Sequence, residues 1–158
     1  MIPLILLDTD IARAFAKAGH FNVLKELFGG VGITSGVYEE LLTSLRHGYE
    51  YPKEIFKRAD LVTLSEEEQK EYLKFMEKYV KIGRGELESI IVCLKRGYLF
   101  SSFDKRAIST ATELGVNIIT VGAILKGLIV KGVATEEGVL RIIRDIEISD
   151  NRVLEVEL

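Results

Sequence analysis

The sequence predicts an α/β domain built on a parallel sheet with helices on both faces, and three observations carry that prediction. Short apolar runs alternate with amphipathic stretches of about ten residues, the pattern of repeated strand–helix units. Residues 3–7, 98–101 and 117–121 are apolar, aromatic or β-branched, which weighs against the all-helical alternative that the shortness of the runs leaves open. Two runs stop abruptly at a carboxylate: Pro3-Leu4-Ile5-Leu6-Leu7 at Asp8-Thr9-Asp10, and Gly97-Tyr98-Leu99-Phe100-Ser101-Ser102-Phe103 at Asp104. That is how a parallel sheet reads when its carboxyl edge carries a site.

Taken in order, the first strand is Pro3–Leu7, followed by helices Ile11–Ala18 and Asn22–Phe28. Strand Gly32–Thr34 leads into helix Gly36–His47, and Pro52–Arg58 is a helix that starts with a proline, permitted in the first turn. After strand Leu61–Leu64, Ser65 is placed to cap a helix over Glu66–Val80, whose opening Glu66, Glu67 and Glu68 suit the helix dipole. Tyr72, Phe75, Met76, Tyr79 and Val80 recur along it at steps of three and four. Helix Glu86–Lys95 ends with Lys95 and Arg96 and is closed by Gly97. Strand Tyr98–Ser101, helix Lys105–Leu114 closed by Gly115, strand Asn117–Thr120 and helices Val121–Val130 and Glu136–Ile146 complete the regular part. The tail Ile148–Leu158 carries Val153, Leu154 and Val156, so it is expected to pack back on the domain or to meet a partner. With no repeat, low-complexity tract or linker, residues 1–158 read as one domain.

Composition bounds the function. The 158 residues suffice for one core, and 47% hydrophobic with 28% charged is ordinary for a globular protein. No apolar run approaches the roughly 20 residues of a membrane span. The apolar N-terminus has no basic region before it, so it reads as a buried strand rather than a signal peptide. Cys93 is the only cysteine, which excludes an intrachain disulfide and a cysteine-rich zinc site. Lying among Ile91, Val92 and Leu94, it reads as a packed core thiol, and a cytoplasmic location is expected. His20 and His47 read as isolated surface residues without zinc or triad spacing. The formal charge of −3 neither requires nor excludes nucleic acid. Abundant Lys and Glu, with Gln69 the only glutamine, lean towards a thermophilic source.

Four acids stand at element ends: Asp8, Glu40, Glu86 and Asp104. Singly, each has a plainer account: Asp8 and Asp104 as helix caps, Glu86 as a first-turn acid, Glu40 with Glu39 as an exposed helix face. Together they form a constellation, because side chains beyond the carboxyl ends of neighbouring parallel strands share one crevice. Carboxylates gathered there repel one another unless a cation neutralises them, and hard oxygen ligands suit Mg²⁺ or Mn²⁺. Phosphodiester hydrolysis is the chemistry such a centre serves. Arg13, Lys17, Arg84, Lys105 and Arg106 flank the acidic motifs and suit phosphates, although solvated helix faces explain each one equally well. Tyr38 and Phe103 fit base stacking, with core packing the plainer account. Gly83-Arg84-Gly85 is too short for a phosphate-binding loop and no P-loop is present, which ranks a phosphatase or response-regulator reading low.

The ordered set Leu6-Leu7-Asp8-Thr9, Val37-Tyr38-Glu39-Glu40-Leu41, Gly83-Arg84-Gly85-Glu86-Leu87-Glu88 and Ser102-Phe103-Asp104-Lys105-Arg106 resembles a PIN domain. The stretch Gly115–Gly122 extends that resemblance over nearly the whole chain. The resemblance implies a three-layer α/β/α fold with a five-stranded parallel sheet in the order 3-2-1-4-5, which makes strands 1 and 4 neighbours. It also implies a Mg²⁺- or Mn²⁺-dependent ribonuclease, since many prokaryotic single-domain relatives are toxins of VapBC-type toxin–antitoxin pairs. Carried across, Asp8, Glu40, Glu86 and Asp104 are the catalytic and metal-binding acids, with Glu39 and Glu88 the competing choices and Asp10 a supporting acid. Ser102 matches a small hydroxyl that orients a carboxylate or water. The implied partners are single-stranded RNA, an antitoxin protein and a second copy of the chain, through helix Ala123–Val130 or helix Glu66–Val80. The alternative is a catalytically inactive PIN-like domain that binds RNA or acts as a scaffold.

Overall fold

The computed structural model describes residues 4–158; Pro3, the first residue of the predicted first strand, lies outside the described residues. Four parallel strands, β1 (Ile5–Leu7), β2 (Val31–Thr34), β3 (Asp60–Val62) and β4 (Leu99–Ser101), lie in the order β3-β2-β1-β4. The register sets Leu7 opposite Ser101, and the Asp8 N–H donates to the Ser101 carbonyl at 3.0 Å. Both apolar runs therefore end at the same edge of the sheet, side by side.

The predicted fifth strand is reduced to a single parallel bridge, Phe100 to Ile118, flanked by two 3.0 Å bonds from Phe100 N–H to Asn117 and from Ile119 N–H to Phe100. Its place next to β4 keeps the expected order. Gly115 turns the chain at φ 85° before it, and Thr120 caps the next helix after it.

Alternation along the strands builds two cores. Ile5 and Leu7 face α1 (Thr9–Lys17), α2 (Phe21–Phe28), α8 (Val121–Val130) and α9 (Glu136–Ser149), with Val37 and Leu41 of α3 (Ser35–Arg46) and Ile55 of α4 (Pro52–Arg58) in the same cluster. Leu6 and Phe100 face the other way, against Ile90, Val92 and Cys93 of α6 (Arg84–Arg96) and Ala107 and Ala111 of α7 (Lys105–Glu113). Cys93 is buried as expected, and burial pushes its thiol pKa up. Leu154 and Val156 of the tail pack on the first cluster, and the Leu154 N–H donates to Glu147 at 3.0 Å.

Three sequence expectations change. Helix α5 (Glu66–Lys78) stops before Val80, and Met76 and Val80 from its periodic set are exposed. Glu68 completes a capping box with Ser65, but it is also buried and gripped by Arg96 through bonds of 2.7 and 2.9 Å, which hold its carboxyl below the usual range. His20 is not isolated: its ring meets Asp145 at 2.7 Å and ties the α1–α2 turn to α9.

Helices α3 and α6 cross at two glycines. A Cβ on Gly36 would meet Gly85 backbone atoms at 2.8 Å, and one on Gly85 would meet the Val37 backbone N at 3.0 Å. Only side-chain-free positions allow the helices that carry Glu40 and Glu86 to approach this closely.

Candidate functional site

Asp8 sits where β1 ends and α1 begins, and it is only 5% exposed. One carboxylate oxygen accepts the Thr9 N–H at 2.8 Å, and the other accepts the Ser102 hydroxyl at 2.6 Å. Ser102 in turn accepts the Asp104 N–H at 3.0 Å, so one hydroxyl links the acids at the ends of β1 and β4. Asp104 caps α7, accepting from the Arg106 and Ala107 N–H groups. The capping accounts of Asp8 and Asp104 and their convergence are both true, because the N-terminus of each following helix is where its strand delivers the side chain.

Asp10 is more central than its sequence position indicates. Its carboxylate accepts the Phe103 N–H at 3.1 and 3.3 Å and lies 3.5 Å from the Ser102 hydroxyl. The clue in the sequence was its spacing: two residues after Asp8, within the first turn of α1. Glu86 projects from the first turn of α6, half-buried, and its Oε2 is buried without any hydrogen-bond partner. The Thr9 hydroxyl is likewise buried and unpartnered. Glu40 stands exposed on α3, close enough for its charge to act on Glu86.

The electrostatics report a shared negative field. Asp8 is pushed up to about 8, first by burial and then by the charge of Asp10, with Glu86 adding to it and the bonds from Ser102 and Thr9 opposing. Glu86 is pushed up to about 7 by burial, then by Asp104, with Asp10 and Glu40 adding smaller contributions. Burial also raises Asp10, against the Phe103 and Ile11 N–H groups and the charges of Arg152 and Arg13. The charges of Asp10, Asp104 and Glu40 thus reach Glu86, and those of Asp10 and Glu86 reach Asp8.

Among the described residues, no three His, Cys, Asp or Glu side chains are already gathered in metal-holding geometry. What fits a divalent cation is the donor chemistry: hard carboxylate oxygens, an orphaned Glu86 oxygen, and acids whose ionisation is suppressed by burial and by one another's charge.

Burial separates only one pair of competing glutamates, Glu86 and Glu88, because Glu39 and Glu40 are both exposed. Glu88 is buried and accepts the Gly36 N–H at 2.7 Å and the Arg84 Nε at 3.2 Å, so it clamps α3 to α6. Glu39 is exposed. The flanking cations separate too. Arg13, Lys17 and the tail's Arg152 surround the Asp150 carboxylate at 3.0, 3.8 and 3.0 Å, and that side chain is 2% exposed. Arg152 also lies over the Phe103 ring at 3.9 Å. Arg84 is taken by Glu88, whereas Lys105 and Arg106 form no salt bridge among the described residues. Tyr38 packs on Phe56 with ring centroids 4.7 Å apart, which is the plainer of its two expected roles.

A family model described as PIN domain matches residues 4–155. The chain belongs to the PIN domain family. Three solved structures share this PIN fold. VapBC2 from Rickettsia felis, bound to a DNA fragment from its promoter, matches at a TM-score of 0.59 and 14% identity, over 74% of this chain and 98% of that one. VapBC-1 from nontypeable Haemophilus influenzae gives 0.56 and 14%, over 74% and 97%. PAE2754 from Pyrobaculum aerophilum gives 0.58 and 15%, over 85% and 100%. At these identities the likeness is one of fold. No curated protein matches the chain in sequence.

Proposed function

We propose that this PIN domain, read as one unit over residues 1–158, is a Mg²⁺- or Mn²⁺-dependent ribonuclease, with Asp8, Glu40, Glu86 and Asp104 as its catalytic and metal-binding acids. The observation that carries the reading is a buried Asp8 with its pKa lifted to about 8 beside Asp10 and Glu86, with a Glu86 oxygen left unpartnered. When bound, the divalent cation supplies positive charge to a phosphodiester and acidity to a nearby water. The protein's own part is to hold the acids. Ser102 fixes the Asp8 carboxylate, the Phe103 N–H fixes Asp10, and the α7 N-terminus fixes Asp104. Asp8, and Glu86 in part, hold protons near neutrality that a cation bound there would displace.

Incubation of the purified protein with single-stranded RNA and Mn²⁺ should give cleavage, and Asp8→Asn should abolish it. Equal cleavage by both proteins sinks the assignment. The inactive, RNA-binding or scaffolding alternative draws on the lack of a ready-made cage among the described residues. It predicts RNA binding without Mn²⁺-dependent cleavage.

The likeness to VapBC structures supports a toxin role with an antitoxin partner, and a cytoplasmic site of action accompanies that reading. No helix among the described residues is long and apolar enough to cross a membrane. Exposed Leu73, Met76 and Val80 along α5 and its C-terminal end, or Val130 at the end of α8, offer apolar surface for a homodimer.

A further inference from the structure

A cavity of about 540 Å³ lies beside the acid cluster rather than in it. Its wall is made by the end of α5 and the α5–α6 connection on one side and by the first turns of α7 on the other. Lys78, Lys81, Lys105 and Arg106 line it, and no acidic residue does. In a chain of net charge −3 such a segregation is distinctive, and none of the four makes a salt bridge among the described residues. The other flanking cations, Arg13, Lys17 and Arg84, are all engaged by acids.

Two further features point to a ligand. The floor is apolar, with Ile82 and the Tyr79 ring, and the Tyr79 hydroxyl is a buried polar atom without a partner. An unmade bond of that kind is unfavourable, and a ligand offering an acceptor oxygen would recover it. The cavity also adjoins the chemistry at both ends. Lys105 and Arg106 directly follow Asp104, and Ile82 lies four residues before Glu86 in the connection to α6.

We propose that this cavity holds the RNA strand as it leaves the acid cluster, with Lys78, Lys81, Lys105 and Arg106 on successive backbone phosphates and the Tyr79 hydroxyl on a phosphate or ribose oxygen. The proposal rests on the ribonuclease reading above. Contacts of this kind bind the backbone and carry no sequence information.

The experiment uses the full chain and a fluorescent single-stranded oligouridylate, in EDTA so that the strand stays intact, with affinity read by anisotropy across a salt series. Each phosphate-neutralising cation contributes about 0.7 to the slope of log affinity against log salt on single strands, so Lys81→Gln with Arg106→Gln should flatten it by about 1.4. Both side chains are exposed, so the fold should survive the change. Tyr79→Phe should lower affinity by about 2- to 10-fold with the slope unchanged, because it removes a hydrogen bond and no charge. An unchanged slope in the double variant overturns the cavity assignment while leaving the ribonuclease reading to the Mn²⁺ cleavage assay. A double variant that instead loses a polyglutamate peptide, with its RNA slope intact, gives the cavity to an acidic protein partner and likewise overturns the proposal. Failure of wild type to bind or cleave RNA overturns both.

Discussion

Asp8→Asn should stabilise the metal-free protein, and by more the higher the pH. Asp8 is 5% exposed, and its pKa rises from 3.8 to about 8 on folding. A raised acid lends stability that is complete below the unfolded pKa and is lost as pH climbs through the folded one. Each pH unit in that window costs about 1.4 kcal/mol, so an ionised Asp8 burdens the fold by on the order of 5 kcal/mol at the top of it. Asparagine removes that burden and keeps an acceptor oxygen, although its bonds to the Thr9 N–H and the Ser102 hydroxyl lose charge assistance worth about 1–2 kcal/mol. The net expectation is a gain of roughly 2–4 kcal/mol near pH 8 that shrinks to nothing or reverses near pH 4.5. Urea unfolding in EDTA at several pH values measures it. A variant destabilised by the same amount at every pH would refute the reasoning, since it would mean that Asp8 is an ordinary satisfied cap.

Other changes probe the frame around the acids. Gly85→Ala places a Cβ 3.0 Å from the Val37 backbone N, so it should cost about 1–3 kcal/mol in chemical denaturation and depress cleavage by spreading Glu40 from Glu86. Wild-type stability and activity would show that α3 and α6 can yield there at no cost. Glu88→Ala strands the buried Gly36 N–H and should cost roughly 1–3 kcal/mol, whereas the exposed Glu39→Ala should stay within about 0.5 kcal/mol of wild type. Equal melting curves for the two would contradict the division of labour between those glutamates.

The sequence made the sheet legible because each strand is bounded by something chemically sharp. Leu7 yields to Asp8, Thr34 to the helix-forming Ser35–Arg46, and Ser101 to the Ser102–Asp104 turn. Between Gly115 and Thr120 the expected strand shrinks to one bridge. The meeting of Asp8 and Asp104 through Ser102 was legible for the same reason. Glu86 against Glu88 was not, since the two residues fall on nearly opposite sides of α6 and only its crossing with α3 decides which one is consumed by the Gly36 N–H. Asp150 and Glu68 were invisible as buried anchors because their partners are remote in sequence: Arg13 is 137 residues from Asp150, and Arg96 is 28 from Glu68. Asp10 was underweighted because a first-turn acid needs no further explanation until the Phe103 N–H is seen to point at it.

The central claim, that these acids form one divalent-metal centre, is tested most directly by calorimetric titration of Mn²⁺ into the metal-free protein near pH 7, repeated in buffers of different ionisation enthalpy. With Asp8 at about 8 and Glu86 at about 7, binding should release protons, and the apparent heat should therefore shift with the buffer. Asp8→Asn should lose both the binding and the proton release. Absence of saturable binding in wild type, or binding with no proton release that Asp8→Asn leaves untouched, would contradict it.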